Sequence, residues 1–180
     1  MKHMTGFAEY RPGATRHHAD VVVRPAEVTD LAACADLIVS RTGGSADERR
    51  NRLQADLDDL DRYSVVAVVG GDVIGYGGVI RHEVSPADPP NMAPTGYYLV
   101  GLIVDHQWRR HGIGELLTRD RMRWVAARAD EIYYFANLGN GATLDLHQSL
   151  TFTEVTRDFT FPGDPLKPGT GVLLRAELQG

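Results

Sequence analysis

The sequence predicts an α/β (α+β) fold: one mixed sheet of about seven strands flanked by four helices. Three observations lead there. Apolar runs of strand length and amphipathic stretches of helix length follow one another as β, α, α, β, β, β, α, β, α, β, β. Gly70-Gly71-Asp72 joins two of the runs as a hairpin. The apolar run Tyr97–Val104 breaks at Asp105-His106-Gln107-Trp108. It then passes through Arg109-Arg110-His111-Gly112-Ile113-Gly114 straight into a helical pattern.

The elements follow in order. Val21–Val23 reads as a short strand. Thr29-Asp30 offers a helix N-cap, followed by Leu31, Ala35 and Ile38 at helical spacing. Ser45-x-x-Glu48 is a capping-box pattern opening a second helix, with Leu53, Leu57 and Leu60 on one face and Asp and Arg on the other. Tyr63–Val69 and Val73–Arg81 form the hairpin strands. His82–Gly96 holds four prolines and reads as a loop, long enough to suggest a functional one. After Tyr97–Val104, a third helix carries Ile113, Leu116, Leu117 and Trp124 in phase. Glu131–Ala136 is a strand, Asn137–Gly141 a turn and Ala142–Leu150 a short helix. Strands at Phe152–Phe161 and Gly171–Leu178, joined by a Pro/Gly-rich loop, complete the chain.

The 180 residues suit one domain over residues 21–180, behind a polar, flexible extension of residues 1–20. A net charge of −5 argues against a nucleic-acid surface. The one cysteine, Cys34, falls on an apolar helix face, so it reads as a core residue and excludes an internal disulfide. No apolar run reaches membrane-spanning length, and no secretory pattern opens the chain, so a cytoplasmic protein is expected. His3, His17 and His18 lack a rigid element to gather them, and no metal site is expected.

The glycine turn carries chemistry. Gly112 and Gly114 have no Cβ, so an anion can approach their backbone, and a helix N-terminus points its free N–H groups at the same spot. Arg109 and Arg110 add positive charge. A Rossmann site needs a third glycine where Leu117 stands, and a Walker loop needs a Gly-Lys-Ser/Thr that is absent. Arg-x-x-Gly-x-Gly after an apolar strand resembles the acetyl-CoA pyrophosphate loop of the GNAT N-acetyltransferase superfamily. The likeness runs from about Val21 to Leu178.

That resemblance implies a GNAT fold with two splayed central strands and acetyl-CoA as cosubstrate, without a metal. Leu102, Ile103 and Val104 would bind the pantetheine arm through their backbone, and Arg109, Arg110, His111, Gly112, Ile113 and Gly114 the phosphates. Asn140, His147 and Thr151-Phe152 fall where family members carry an Asn, a Tyr and a Gly-Phe pair, so Tyr has become His147 and Gly has become Thr151. The family Tyr is thought to protonate the leaving thiolate. His147 can take that part as an imidazolium, in which case turnover falls as pH rises past its pKa. The competing reading is a packed histidine making one hydrogen bond. A general base is poorly marked; His82, Glu83, Asp105 and His106 are the candidates.

The expected reaction is acetyl transfer to a primary amine. A small cationic acceptor (an antibiotic, a polyamine or an amino acid) competes with a protein N-terminus or lysine. A non-catalytic acyl-CoA-binding module is the reading from another class. A homodimer through Phe152–Phe161 is expected only by analogy.

Overall fold

A computed structural model of the chain describes residues 20–163, 166–167 and 169–179. The expected N-terminal extension, save Asp20, and its three histidines lie outside them. The described residues form seven strands and four α-helices: β1 (Val22–Pro25), α1 (Leu31–Thr42), α2 (Ala46–Leu57), β2 (Tyr63–Val69), β3 (Asp72–His82), β4 (Gly96–Val104), α3 (Ile113–Ala126), β5 (Glu131–Asn137), α4 (Gly141–Ser149), β6 (Thr153–Thr156) and β7 (Gly171–Glu177). The strands lie in one sheet in the order β1-β2-β3-β4-β5-β7-β6.

All neighbours pair antiparallel except β4 and β5, which run parallel and meet at a single position, Tyr98 opposite Tyr133. Beyond that pair the two strands part, the splay expected from the resemblance. On its other edge β4 follows β3 along its whole length, from Gly96 opposite His82 to Val104 opposite Gly75. That ladder is interrupted once. Gly78 faces Val100, whereas Tyr76 faces Ile103, so β4 carries one residue too many, and Gly101 takes φ +64° there. Such a bulge bends the strand and turns its peptide groups away from the ladder.

One sheet face is covered by α1 and α2, which bury Leu31, Cys34, Ala35, Ile38 and Leu53 against Val66, Val68 and Tyr76. The other is covered by α3, whose Ile113 and Leu117 meet Val65 and Ala67, and whose Val125 meets Leu99 and Ile132. Cys34 is fully buried, as its helix face predicts. Ser45 caps α2 by accepting from the Glu48 N–H at 3.4 Å.

Four local expectations need correction. Leu60 lies beyond the end of α2 and is 91% exposed, because the run of Asp residues ends the helix after Leu57. Asp30 does not cap α1 with its side chain. Its carboxylate is taken by Arg24 at 2.6 Å and by the Glu27 N–H at 2.8 Å, and the Arg24 bond holds it below its ordinary pKa. The strand expected over Phe152–Phe161 keeps only Thr153–Thr156; Phe159 and Phe161 instead fold over the Tyr98 face of the sheet. His82 belongs to β3 rather than to the loop.

Candidate acyl-CoA site

The site begins where β4 ends. The Asp105 N–H still bonds the Ile74 carbonyl at 2.9 Å, and the Asp105 carboxylate accepts from the Gln107 N–H at 2.8 Å, starting a 3₁₀ turn over His106–Trp108. Arg110 then takes φ +66° and Gly112 φ +77°. These two left-handed residues turn the chain abruptly into α3, a cost of roughly 1–2 kcal/mol at a non-glycine such as Arg110. Gly112 is the N-cap of α3 and offers no side chain, so the first-turn N–H groups up to Glu115 have no cap; Leu116 is the first to bond back, to Gly112 at 3.0 Å.

The two glycines differ in what demands them. Gly112 needs its left-handed backbone. Gly114 has ordinary helical backbone, and a Cβ there would sit 3.5 Å from Leu146 and 3.7 Å from Leu102, ordinary contact distances. The fold does not require glycine at 114, but an anion lying against the helix N-terminus does. Arg109 and Arg110 have no carboxylate within 4.0 Å among the described residues. Arg41, from the last turn of α1, lies close enough to Arg109 that burial and Arg109's charge together lower its pKa. Sequence pattern gave no sign of Arg41, because it reaches the loop from a separate helix. The residues present therefore fit a diphosphate.

On the α3 side of the splay lies a buried polar cluster. His147 of α4 is fully buried and stacks on Tyr134 of β5 with ring centroids 3.7 Å apart and planes 4° apart. Its other neighbour is Phe152, edge-on at 5.0 Å. The His147 Nδ1–H donates to the Thr143 carbonyl at 2.7 Å, which leaves Nε2 as a lone pair; Nε2 is buried and has no partner among the described residues. Burial, with a smaller push from Arg121, lowers its pKa to about 4, so the resting imidazole is neutral rather than the imidazolium the sequence suggested. Thr151, standing where the family has Gly, takes φ +68°, a strained conformation for a β-branched residue that explains why glycine suits the position. Asn140 is the N-cap of α4, and its side chain makes no capping bond.

The four base candidates are not gathered around His147. His82 lies at the far end of β3, opposite Gly96, with Nε2 3.1 Å from the Ala93 carbonyl and its ring against Tyr98 and Phe161. Five residue steps along β4 separate Gly96 from the bulge at Gly101, about 16 Å of strand. Glu83 is exposed and pairs with Arg81 at 2.9 Å. Asp105 is spent on the turn, and His106 is exposed beside it. Among the described residues no group of three or more His, Cys, Asp or Glu could hold a metal, and no helix is long and apolar enough to cross a membrane.

This arrangement, a parted parallel strand pair leading to an uncapped helix N-terminus, is one that fits an acyl-CoA, and the family of the chain accords with it. Residues 31–152 match the family model described as the acetyltransferase (GNAT) family, and the chain belongs to that family. It is an acetyl-CoA-dependent acetyltransferase. Among solved structures it is similar to yncA from Salmonella typhimurium, determined with its cofactor acetyl-CoA, at 17% identity over 89% of this chain and 95% of that one, with a TM-score of 0.68. The ribosomal-protein-alanine N-acetyltransferase of Brucella melitensis is similar at 20% identity, 87% and 99% coverage and TM-score 0.67. An aminoglycoside 6'-acetyltransferase type Ii is similar at 16% identity, 88% and 98% coverage and TM-score 0.66. These likenesses concern the fold. No curated protein matches the chain at a significant level.

Proposed function

We propose that this acetyltransferase carries the acetyl group to the primary amine of a small cationic molecule: an antibiotic, a polyamine or an amino acid. The observation that carries the site assignment is the edge of β4 beyond Tyr98, free of β5 and aimed at the first turn of α3. Leu102, Ile103 and Val104 offer backbone groups there to an amide-bearing arm, as a missing strand would. The N–H groups of Gly112, Ile113 and Gly114, with the charges of Arg109 and Arg110 and the ring of His111, hold the phosphates. Ile113 serves through its backbone alone, since its side chain is buried in the core. The Asn140 amide is free to bind the same arm.

Bound acetyl-CoA supplies the thioester carbonyl that the amine attacks. The bulge of β4 turns backbone N–H groups toward the carbonyl oxygen as negative charge gathers on it. His147 enters this scheme neutral. Its Nε2 lone pair accepts the proton that the attacking nitrogen sheds, then returns it to the sulfur as the C–S bond breaks, so that it acts as an acid only after acting as a base. His82 and Glu83 are too far along the strand to take either part directly, and we assign them no catalytic role.

Support for a cationic acceptor comes from the net charge of −5 rather than from α2, where Asp47, Asp56 and Asp59 are each paired with Arg50 or Arg62. We place the reaction in the cytoplasm, in a single domain of residues 21–180; β6, the sheet edge with Val155 half exposed, is the surface through which a homodimer would form.

Thiol release from acetyl-CoA against aminoglycosides, polyamines, amino acids and peptides tests the reading. Release with small cationic amines is expected. Release only with peptide N-termini or lysines would replace it by protein acetylation. A melting shift with acetyl-CoA but no release from any amine would favour a binding module; acetyl-CoA at a hundredfold excess over its Kd should add about 2.7 kcal/mol.

A further inference from the structure

Arg121 of α3 is the largest fully buried side chain among the described residues, at 0% exposure. It has no carboxylate within 4.0 Å among the described residues. Taking a guanidinium out of water without a counter-ion costs several kcal/mol, and a helix packed only for stability would carry an apolar residue there. Its partners are instead four neutral oxygens. Nε donates to the Leu117 carbonyl and Nη1 to the Gly78 and Val100 carbonyls, each at 3.2 Å, and Nη2 donates to Thr118 Oγ1 at 2.9 Å. Those bonds use four of the five N–H groups.

The positions of those acceptors matter. Gly78 and Val100 are the last matched pair of the β3–β4 ladder before the bulge, so Arg121 ties down both strands at the point where β4 changes direction. Gly77 makes room for it: a Cβ at that position would stand 3.0 Å from Arg121 Cζ and Nε. The charge of Arg121 also acts on His147, whose buried Nε2 has no partner among the described residues.

We propose that Arg121 is a positioning residue for acyl transfer, holding the β4 bulge in register and setting a fixed positive charge beneath the place where the carbonyl oxygen and then the sulfur become negative. This rests on the site assignment given above. In the step, the amine nitrogen bonds to the carbonyl carbon and the π pair moves to oxygen; the nitrogen gives its proton to His147 Nε2; on collapse the C–S pair leaves with sulfur, which takes that proton from His147. Arg121 makes and breaks no covalent bond. It keeps the bulge N–H groups aimed at the oxygen and favours each negatively charged species.

Steady-state kinetics, acetyl-CoA affinity and amide exchange on Arg121→Gln, Arg121→Lys, Thr118→Val and Gly77→Ala test this. Arg121→Gln should lower kcat on the order of a hundredfold, with KM and Kd for acetyl-CoA within about threefold, because the phosphate loop lies at the other end of α3. The Gly101 and Leu102 amides should exchange faster in the free protein. Arg121→Lys, which keeps the charge, should recover about tenfold of that kcat. Should Arg121→Gln fail to fold, Thr118→Val and Gly77→Ala displace the guanidinium without removing it, and each should lower kcat with the protein folded. A folded Arg121→Gln, or folded Thr118→Val and Gly77→Ala together, with wild-type kcat and wild-type amide exchange overturns the proposal, as does Arg121→Lys no better than Gln. A wild-type chain that releases no thiol with any amine overturns the site assignment, and this proposal with it.

Discussion

The two ends of β4 are built to opposite rules. From Gly96 to Leu99 the strand is held on both edges and both faces: Tyr98 is wholly buried, stacks on Tyr133 at 5.1 Å, meets Phe161 at 4.9 Å and donates its hydroxyl to the Pro94 carbonyl at 2.6 Å. From Val100 to Val104 one edge has no partner strand, Gly101 is left-handed, and the neighbouring helix begins without a cap. Backbone hydrogen-bonding groups are rarely left unmatched without reason. The contrast teaches that the closed end sets the angle of the splay, and we propose that the open end uses it to bind acetyl-CoA.

The comparison breaks most visibly at Tyr98. Tyr98→Ala removes a fully buried ring and should cost about 4 kcal/mol of stability by chemical denaturation. Below its melting point the folded variant should still bind acetyl-CoA within about threefold, if the closed end is purely structural. Lost binding in a folded variant would show that the two ends are not separable.

His147 gives the next effect. Unfolded, it titrates near 6.5; folded, near 4, chiefly through burial among Tyr134, Phe152 and Thr143, with Arg121 of α3 adding to it. As pH falls from 6.5 the unfolded chain takes up a proton that the folded chain refuses. Stability therefore declines down to about pH 4 and this contribution is flat below, amounting to about 3 kcal/mol. Urea unfolding from pH 7 to pH 4 measures it, and His147→Phe should lose that slope. In turnover, the neutral-histidine scheme gives a limb that rises with pH near 4 to 5 and no loss from this residue above 6.5. A loss of activity above 6.5 that vanishes in His147→Phe would restore the imidazolium acid.

At the open end, Gly114→Ala should leave the protein as stable as before or slightly more so, since Ala favours the helix and its methyl has room. Acetyl-CoA affinity should nevertheless fall about tenfold, roughly 1.4 kcal/mol. Calorimetric titration reads this, and unchanged affinity would remove Gly114 from the cradle. The smallest effect is at Thr151: Thr151→Gly relieves the left-handed strain and should raise stability by about 1 kcal/mol in thermal melts, without touching acetyl-CoA binding.

The parts of this contrast that depend on local chemistry were legible in the sequence. The hairpin at Gly70-Gly71, the apolar run ending at Asp105 and the Gly112 turn are each written in adjacent residues, and the structure keeps them. What depends on residues far apart was not. Arg121 reads as one more charged position on a helix, and its bonds to Gly78 and Val100 cross 43 and 21 residues. The protonation state of His147 follows from how tightly Tyr134 and Phe152 enclose it, which spacing on α4 cannot convey. Phe159 and Phe161 have the composition of a strand, but the aromatic face around Tyr98 takes them instead.

Hydrogen–deuterium exchange with and without saturating acetyl-CoA tests the central claim most directly, because it needs no acceptor amine. Acetyl-CoA should protect the amides of Leu102–Val104 and of Gly112–Glu115, and leave Tyr97–Leu99 and the β5–β7 ladder as they were. Unchanged exchange along Leu102–Val104 and Gly112–Glu115, or protection confined to another face, would contradict the assignment of the parted end of β4 as the acyl-CoA site.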